Sequence, residues 1–344
     1  MMKQVYRLSE IDIMRPTIII LLVLMHSFVI FSPTASTWPL PTGIYEVKLY
    51  HWIQELSYSF LLESFTFISG YVYAYAVLYR NKNYSFISLA YNKFKRLIIP
   101  SVIFSLLYTP LFYEGNVNCS HFIYDIICGI GHMWYLPMLF MCFLVTWIIQ
   151  RVRINELLKL VLLLLLAVIS IRLPSVFRMN TVCYYLFFFY LGYNMYKRRK
   201  RPTINIKMYY WGGYLLVITP LIVLRQELVS YAFEASSWMA LIAKLFSRVI
   251  VLSYSLMGTI LLYHSCLHYS RTNGVSSFVV CFNKYCMGIY LVHQFVLRYL
   301  YYYTNMPCIG TYCLPFISFL FTLTISYVFV KYACCTKVGY ILFR

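Results

Sequence analysis

Apolar stretches recur along the whole 344-residue chain with only short polar connections between them, and that recurrence leaves few folds open. A run of about twenty apolar residues crosses the hydrocarbon core of a bilayer as a helix. Coarse hydropathy places ten such spans, at about 16–32, 56–79, 97–113, 132–149, 157–171, 181–196, 209–224, 238–263, 285–303 and 312–331. Charged residues are 11% of the chain and hydrophobic ones 62%, whereas a soluble globular domain carries about a quarter charged. No polar block is long enough to fold alone. The expectation is an all-α polytopic membrane protein, residues 1–344 forming a single membrane-embedded domain of about ten transmembrane helices in one bundle. The first apolar run follows Lys3, Arg7 and Arg15 and so resembles a secretory signal, but "FSPTASTWPLP" after it lacks a small-x-small cleavage site and further spans follow. It reads as a retained first helix.

A net charge of +19 would suggest nucleic acid if the charges were scattered. They are not. Numbering the connections alternately from an inner N-terminus, the inner segments hold 22 of the 29 lysines and arginines; the outer ones hold only Lys48, Arg172, Arg178 and Arg225, and Lys244, Arg248 and Arg298 fall within spans. Positive charge in short loops sets orientation, so the asymmetry puts both termini in the cytoplasm of a multi-pass protein of the inner or plasma membrane. What remains is a basic inner face that attracts anionic lipid headgroups or phosphorylated metabolites; nucleic acid is not an expected partner. The eleven cysteines show no CxxC pair, and Cys142, Cys183 and Cys266 sit in apolar runs as small hydrophobes, so no metal site is expected. Cys308 and Cys313 share an outer loop, and the sequence leaves their pairing open. The 36 tyrosines cluster near span ends, as in "RYLYYY", which fits interfacial anchoring.

An ionisable group inside a span is costly and reads first as a functional site, with a hydrogen-bonded packing role or snorkelling as the bland alternative. In "EIDIMRPTIIILLVLMHSFVIF", Arg15 and His26 are eleven positions apart, about 20° past three full helical turns, so they share a face. The axial separation is about 16 Å, which carries the histidine to mid-depth when the arginine stands at the inner mouth. Pro16 suits a helix start there, and Asp12, three residues before Arg15, is placed to orient the guanidinium. Arg15 alone would be an inner-side anchor and His26 alone a packing histidine; the shared face argues for more. In the second span, "FLLESFTFISGYVYA" carries Glu63 about two turns inside, with Ser69 and Gly70 deeper, where small residues allow close approach of a helix or a ligand. "NKFKRLIIP" makes a basic collar of Lys93, Lys95 and Arg96 before Pro100, which bends the helix or opens its first turn. "GIGHMWYLP" puts His132 and Trp134 at an outer end, in the aromatic belt or lining a vestibule that holds a sugar. "NKYCMGIYLVHQF" sets Tyr290 and His293 on one face at i, i+3, the histidine again about mid-membrane.

Taken in order, the Arg15-x10-His26 pair, "FTFISGY" in the second span, "KRLIIP" opening the third, "GHMWYLP" opening the fourth, "FFFYLGY" in the sixth and "YCMGIYLVH" in the ninth resemble the membrane acyltransferase type 3 family over nearly the whole chain. Two departures stand out: Glu63 occupies a place where many members have proline or an apolar residue, and Tyr79 and Arg80 stand where an Arg-x-Arg motif is usual. Some members carry a soluble extracytoplasmic transferase domain, which this chain lacks.

The resemblance implies transfer of an acyl group, usually acetyl, from cytoplasmic coenzyme A thioester to a hydroxyl of an extracytoplasmic carbohydrate or glycolipid, with acyl-coenzyme A as a donor substrate and no permanently bound cofactor. It makes Arg15 and His26 the essential pair. Arg15 with Lys95, Arg96 and Ser69 would bind the donor, whose phosphates suit charge-assisted hydrogen bonds. His26 would act as general base or carry the acyl group, with His293, Tyr290 and Glu63 orienting it or stabilising the oxyanion. His132 and Trp134 would face the acceptor. The rival reading is a proton-coupled transporter or exporter of a lipid-linked or small sugar, using Glu63, His26 and His293 as a relay; the sequence lacks the internal repeats such folds commonly show. Acyl chain, acceptor identity and oligomeric state are not encoded legibly.

Overall fold

The computed structural model describes residues 8–32, 38–80, 82–112, 119–198, 207, 209–234 and 236–343. Lys3, Arg7, Arg199, Lys200, Arg201 and Arg344, part of the inner positive charge, lie outside the described residues. In chain order the helices are α1 (Ser9–Ser27), α2 (Lys48–Tyr58), α3 (Leu61–Ala74), α4 (Phe86–Lys93), α5 (Ile99–Phe112), α6 (Cys119–Cys128), α7 (Tyr135–Ile149) and α8 (Glu156–Ile169). They continue with α9 (Met179–Lys197), α10 (Tyr209–Glu234), α11 (Ser237–Thr272), α12 (Ser277–Asn283), α13 (Cys286–Tyr302), α14 (Leu314–Ala333) and α15 (Lys337–Phe343). No strand occurs among the described residues.

Each of the ten expected spans falls on a helix, and among the described residues five helices are long and apolar enough, by length and composition, to cross a membrane: Lys48–Tyr79, Gly131–Ile149, Tyr209–Phe233, Trp238–Thr272 and Leu314–Ala333. The others differ for physical reasons. Helices α5 and α8 have 14 residues each, short of the ~20 that a hydrocarbon core requires. Helix α1 devotes its first turns to Glu10, Asp12 and Arg15.

Two boundaries depart from the sequence reading. Helix α1 begins at Ser9, not at Pro16, which lies inside it; the acidic Glu10 and Asp12 in the first turn complement the helix N-terminus and extend the helix outward. The helix carrying the basic collar likewise starts early, at Phe86, capped by the Ser85 hydroxyl accepting from the Ser88 N–H at 3.2 Å. The disturbance expected of Pro100 takes the form of a π-helical turn over Phe94–Ile98, in which the Ile99 N–H reaches back to the Phe94 carbonyl. Proline has no N–H to continue the ordinary ladder, and the wider turn absorbs the gap.

The chain divides into two compact units. The first comprises Met1–Ser64, Arg201–Leu221 and Tyr254–Lys331. In it α1 packs on α2, α12 and α13, and an apolar cluster including Phe28, Phe31, Trp38, Tyr50, Leu297 and Tyr301 seals the C-terminal end of α1. The Tyr301 hydroxyl donates to the Ser27 carbonyl, tying α13 to the last turn of α1. The second unit comprises Phe65–Lys200, Ile222–Ser253 and Tyr332–Arg344. Its centre is α9, which packs on α7 and α8 and buries an unbroken run from Tyr184 to Tyr190. Glu156 at the start of α8 anchors that packing: one carboxylate oxygen lies 3.3 Å from both Lys159 and Lys197, and the other accepts from the Tyr190 hydroxyl at 2.8 Å. Cys308 and Cys313 are free and exposed.

Candidate functional site

The first unit brings together two polar constellations along α1. At the lower one, Asn283, the last residue of α12, uses both ends of its amide. Its Oδ1 accepts from Arg15 Nη1 at 3.2 Å and its Nδ2 donates to Asp12 Oδ1 at 2.6 Å. The chemistry fixes which way the amide points, because a guanidinium only donates and a carboxylate only accepts. Asp12 therefore orients the arginine through Asn283 as well as through its own charge. The sequence reading missed Asn283. The signal that could have found it is spacing: it stands ten residues before His293, as Arg15 stands eleven before His26.

At the upper constellation, His26 and His293 meet. Their ring centroids are 4.9 Å apart at an interplanar angle of 63°, and His293 Nε2 lies 3.4 Å from His26 Nδ1. His293 is wholly buried and His26 is half-buried. Backbone carbonyls fix the protons. His26 Nδ1 lies 2.9 Å from the Leu22 carbonyl, and His293 Nδ1 lies 2.8 Å from that of Tyr290 and 3.2 Å from that of Ile289. A carbonyl can only accept, so both rings carry their proton on Nδ1. His293 Nε2 then holds a lone pair, aimed at the Nδ1–H of His26. His26 Nε2 is left with its own lone pair, and no described residue donates to it. The pair is a base backed by an acceptor, with both rings oriented by helix carbonyls.

The remaining expected site residues are placed as follows. Tyr290 is buried one turn before His293, and its backbone carbonyl is what orients the histidine. Glu63 is buried in the first turn of α3, beyond the break at Ser59–Phe60; the N-terminal turn of a helix is the end at which an acid is favoured. Around that break, Ser255 donates to the Ser59 carbonyl at 2.6 Å and Ser64 to Thr259 at 3.1 Å. Ser69, Lys95, Arg96, His132 and Trp134 belong to the second unit. The Ser69 hydroxyl donates to the Phe65 carbonyl of its own helix at 3.0 Å. Lys95 and Arg96 are exposed on the π-helical turn, with the Lys95 ammonium 4.3 Å from the centre of the Tyr91 ring. His132 is buried edge-on to Tyr108 at 5.6 Å, and Trp134 lies 5.9 Å from Tyr185.

Among the described residues, which include no strand, a histidine pair and an oriented arginine lie along α1. Residues 8–331 match the family model described as an acyltransferase domain, and the chain belongs to that family, the membrane acyltransferases of type 3. No curated protein and no solved structure matches it.

Proposed function

We propose that the chain moves an acyl group, acetyl above all, from cytoplasmic acyl-coenzyme A to a hydroxyl of an extracytoplasmic carbohydrate or glycolipid, in the inner or plasma membrane. The observation that carries this reading is the tautomer of the His26–His293 pair, which leaves His26 Nε2 as a proton acceptor on the same helix as the oriented Arg15. Arg15 holds donor phosphate by charge-assisted hydrogen bonds, for which its planar fork is suited. Lys95 and Arg96, exposed in the second unit, are proposed as further donor-binding cations. His132 and Trp134 serve the acceptor, and Glu63 and Tyr290 the ring of His26 through packing and orientation.

In the transfer step, the acceptor hydroxyl gives its proton to His26 Nε2 while its oxygen attacks the thioester carbonyl carbon. The C–S bond then breaks, and the coenzyme A sulfur takes the proton back from Nε2. Between the two events His26 is a cation. Its Nδ1–H donates to the Leu22 carbonyl and to His293 Nε2, so the charge is spread over acceptors already in place and no reorganisation is needed.

The test is replacement of His26 by alanine with insertion and abundance confirmed, followed by measurement of acyl groups on surface glycan by NMR. Loss of acylation is expected; unchanged acylation by a folded His26→Ala protein removes the catalytic role. Labelled acetyl-coenzyme A given to the purified protein separates the enzyme from an exporter, since only the enzyme binds it or hydrolyses its thioester.

A further inference from the structure

The acyl-transfer reading makes no use of Arg248. This residue lies on α11, and the half-buried guanidinium carbon sits 4.7 Å from the centre of the buried Tyr184 ring. Its Nε is buried without a hydrogen-bond partner, and among the described residues no carboxylate pairs with it and no acceptor takes any of its N–H groups. Arg178, the other arginine stacked on an aromatic ring in this region of the second unit, is different. Its Nε and Nη2 donate to the carbonyls of Cys128 and Gly129 at 3.2 and 3.3 Å, beside Trp134. Its fork is spent on the protein, and that of Arg248 is open.

The depth of Arg248 says what kind of anion can reach it. Helix α11 has 36 residues, about 54 Å, and so exceeds a hydrocarbon core of about 30 Å. Hydropathy alone puts Arg248 inside the span 238–263, but α11 runs on to Thr272, and its stretch free of carboxylates, lysines and arginines, 249–270, about 33 Å long, begins directly after Arg248. The arginine therefore stands at the edge of the hydrocarbon layer, where lipid phosphates lie. Leu245 and Val251, three positions before and after it and so on the same helix face, are half-buried apolar side chains, the surface an acyl or prenyl tail covers. A single tyrosine ring offsets only part of the cost of desolvating a guanidinium, and a phosphate matches its planar fork with two parallel hydrogen bonds.

We propose that Arg248 is the phosphate-binding subsite for an apolar-tailed phosphate, the tail lying over Leu245 and Val251. That chemistry has two sources, a phospholipid headgroup of the bilayer and a prenyl phosphate of the kind that carries saccharides. The inference does not rest on acyl transfer, because binding is read with no acyl donor present.

The experiment uses the full chain in a neutral maltoside detergent and follows thermal unfolding with farnesyl phosphate, short-chain phosphatidylglycerol, inorganic phosphate, and farnesol as the uncharged control. At about ten times Kd, a Tm rise of about 2–4 °C is expected for the wild type with a tailed phosphate and not with farnesol. Arg248→Gln abolishes the rise, and Arg248→Lys, which keeps the charge and loses the fork, retains a smaller one. A larger response to farnesyl phosphate assigns the site to a lipid-linked ligand, and a larger one to phosphatidylglycerol assigns it to the bilayer. Equal responses to farnesyl phosphate and farnesol in the wild type overturn the proposal whatever the variants do. So does a phosphate response in Arg248→Gln equal to that of the wild type. Should the glutamine variant fail to fold, an undiminished response in Arg248→Lys counts against the fork, and a diminished one supports it.

Discussion

The closest backbone approach in the second unit is reciprocal, and it makes a quantitative prediction. A Cβ added at Gly70 of α3 would stand 1.8 Å from the Phe189 carbonyl oxygen of α9, and one added at Gly192 of α9 would stand 2.0 Å from the Phe67 carbonyl oxygen of α3. Each glycine meets the carbonyl three residues before the other. Ordinary contact begins at 3.4 Å, so Gly70→Ala forces the two helices apart by about 1.6 Å. Both obstacles are backbone, and no rotamer change relieves them. A gap of ~0.5–1 Å already forfeits a quarter to a half of each dispersion contact, so the retreat weakens the whole α3–α9 seam. Against this, alanine gains up to ~1 kcal/mol of helix propensity over glycine. With overpacking at about 1–3 kcal/mol and the seam lost in addition, a net destabilisation of about 2 kcal/mol or more is expected.

Thermal unfolding of the purified protein, followed by loss of monodisperse material, measures it. The double variant Gly70→Ala/Gly192→Ala should cost clearly less than the two single changes combined, since one separation relieves both clashes and neighbouring changes are not additive. Gly212→Ala and Gly213→Ala on α10, where nothing lies within 4 Å of the added carbon, are the controls, and they should be neutral or stabilising. A Gly70→Ala protein as stable as the controls would refute the contact and the reasoning built on it.

Three further outcomes follow from the first unit and from the anchor of α8. Replacing His293 by phenylalanine removes the acceptor behind His26 and should lower kcat about 10- to 100-fold with the donor KM little changed; His293→Asn, which keeps an acceptor oxygen, should recover part of it in single-turnover assays. Asn283→Leu cuts the link between Asp12 and Arg15 and should raise the acyl-coenzyme A KM about tenfold or more at similar kcat, and Asn283→Asp should do no better because it sets a second carboxylate against Asp12. Glu156 sets the third. Burial works against its carboxylate, but the Tyr190 hydroxyl, Lys197 and Lys159 outweigh it and hold its pKa below the ordinary carboxylate range. A folded-state pKa below the unfolded one gives stability that is complete above the ordinary carboxylate range and is lost as pH falls through the folded value. The Tm of Glu156→Gln should therefore fall less on acidification than that of the wild type, by less than about 1 kcal/mol given the exposure of the pair.

The sequence made helix identity and the two histidines legible, because hydropathy and the cost of a buried ring are local signals. Pro16 misled, since a proline inside a helix and one at its start look alike without knowledge that α1 continues to Ser9. Gly70 reads as a place where a helix or a ligand approaches closely, and helix α9 takes it; only coordinates tell helix from ligand. Asn283 was invisible for another reason. An amide is an unremarkable residue until its two partners, both more than two hundred and sixty residues away, are in place. The open fork of Arg248 is likewise a property of what does not surround it, which no spacing records.

The two constellations also carry information about direction. Arg15 meets Asn283 and His26 meets His293, so two steps of about equal length, eleven residues on one strand of the pairing and ten on the other, advance together. Such a register is possible only if α1 and the α12–α13 segment run the same way. Parallel neighbours in a bilayer must be separated by an odd number of intervening crossings, and the expected first and ninth spans satisfy this with seven spans between them. An even count would have turned α13 over, so that His293 faced the arginine and Asn283 the histidine. The orientation expected from the loop charges agrees with that pairing of the histidines. A tag accessibility experiment placing the N-terminus and the α11–α12 loop on opposite sides of the membrane would break both together.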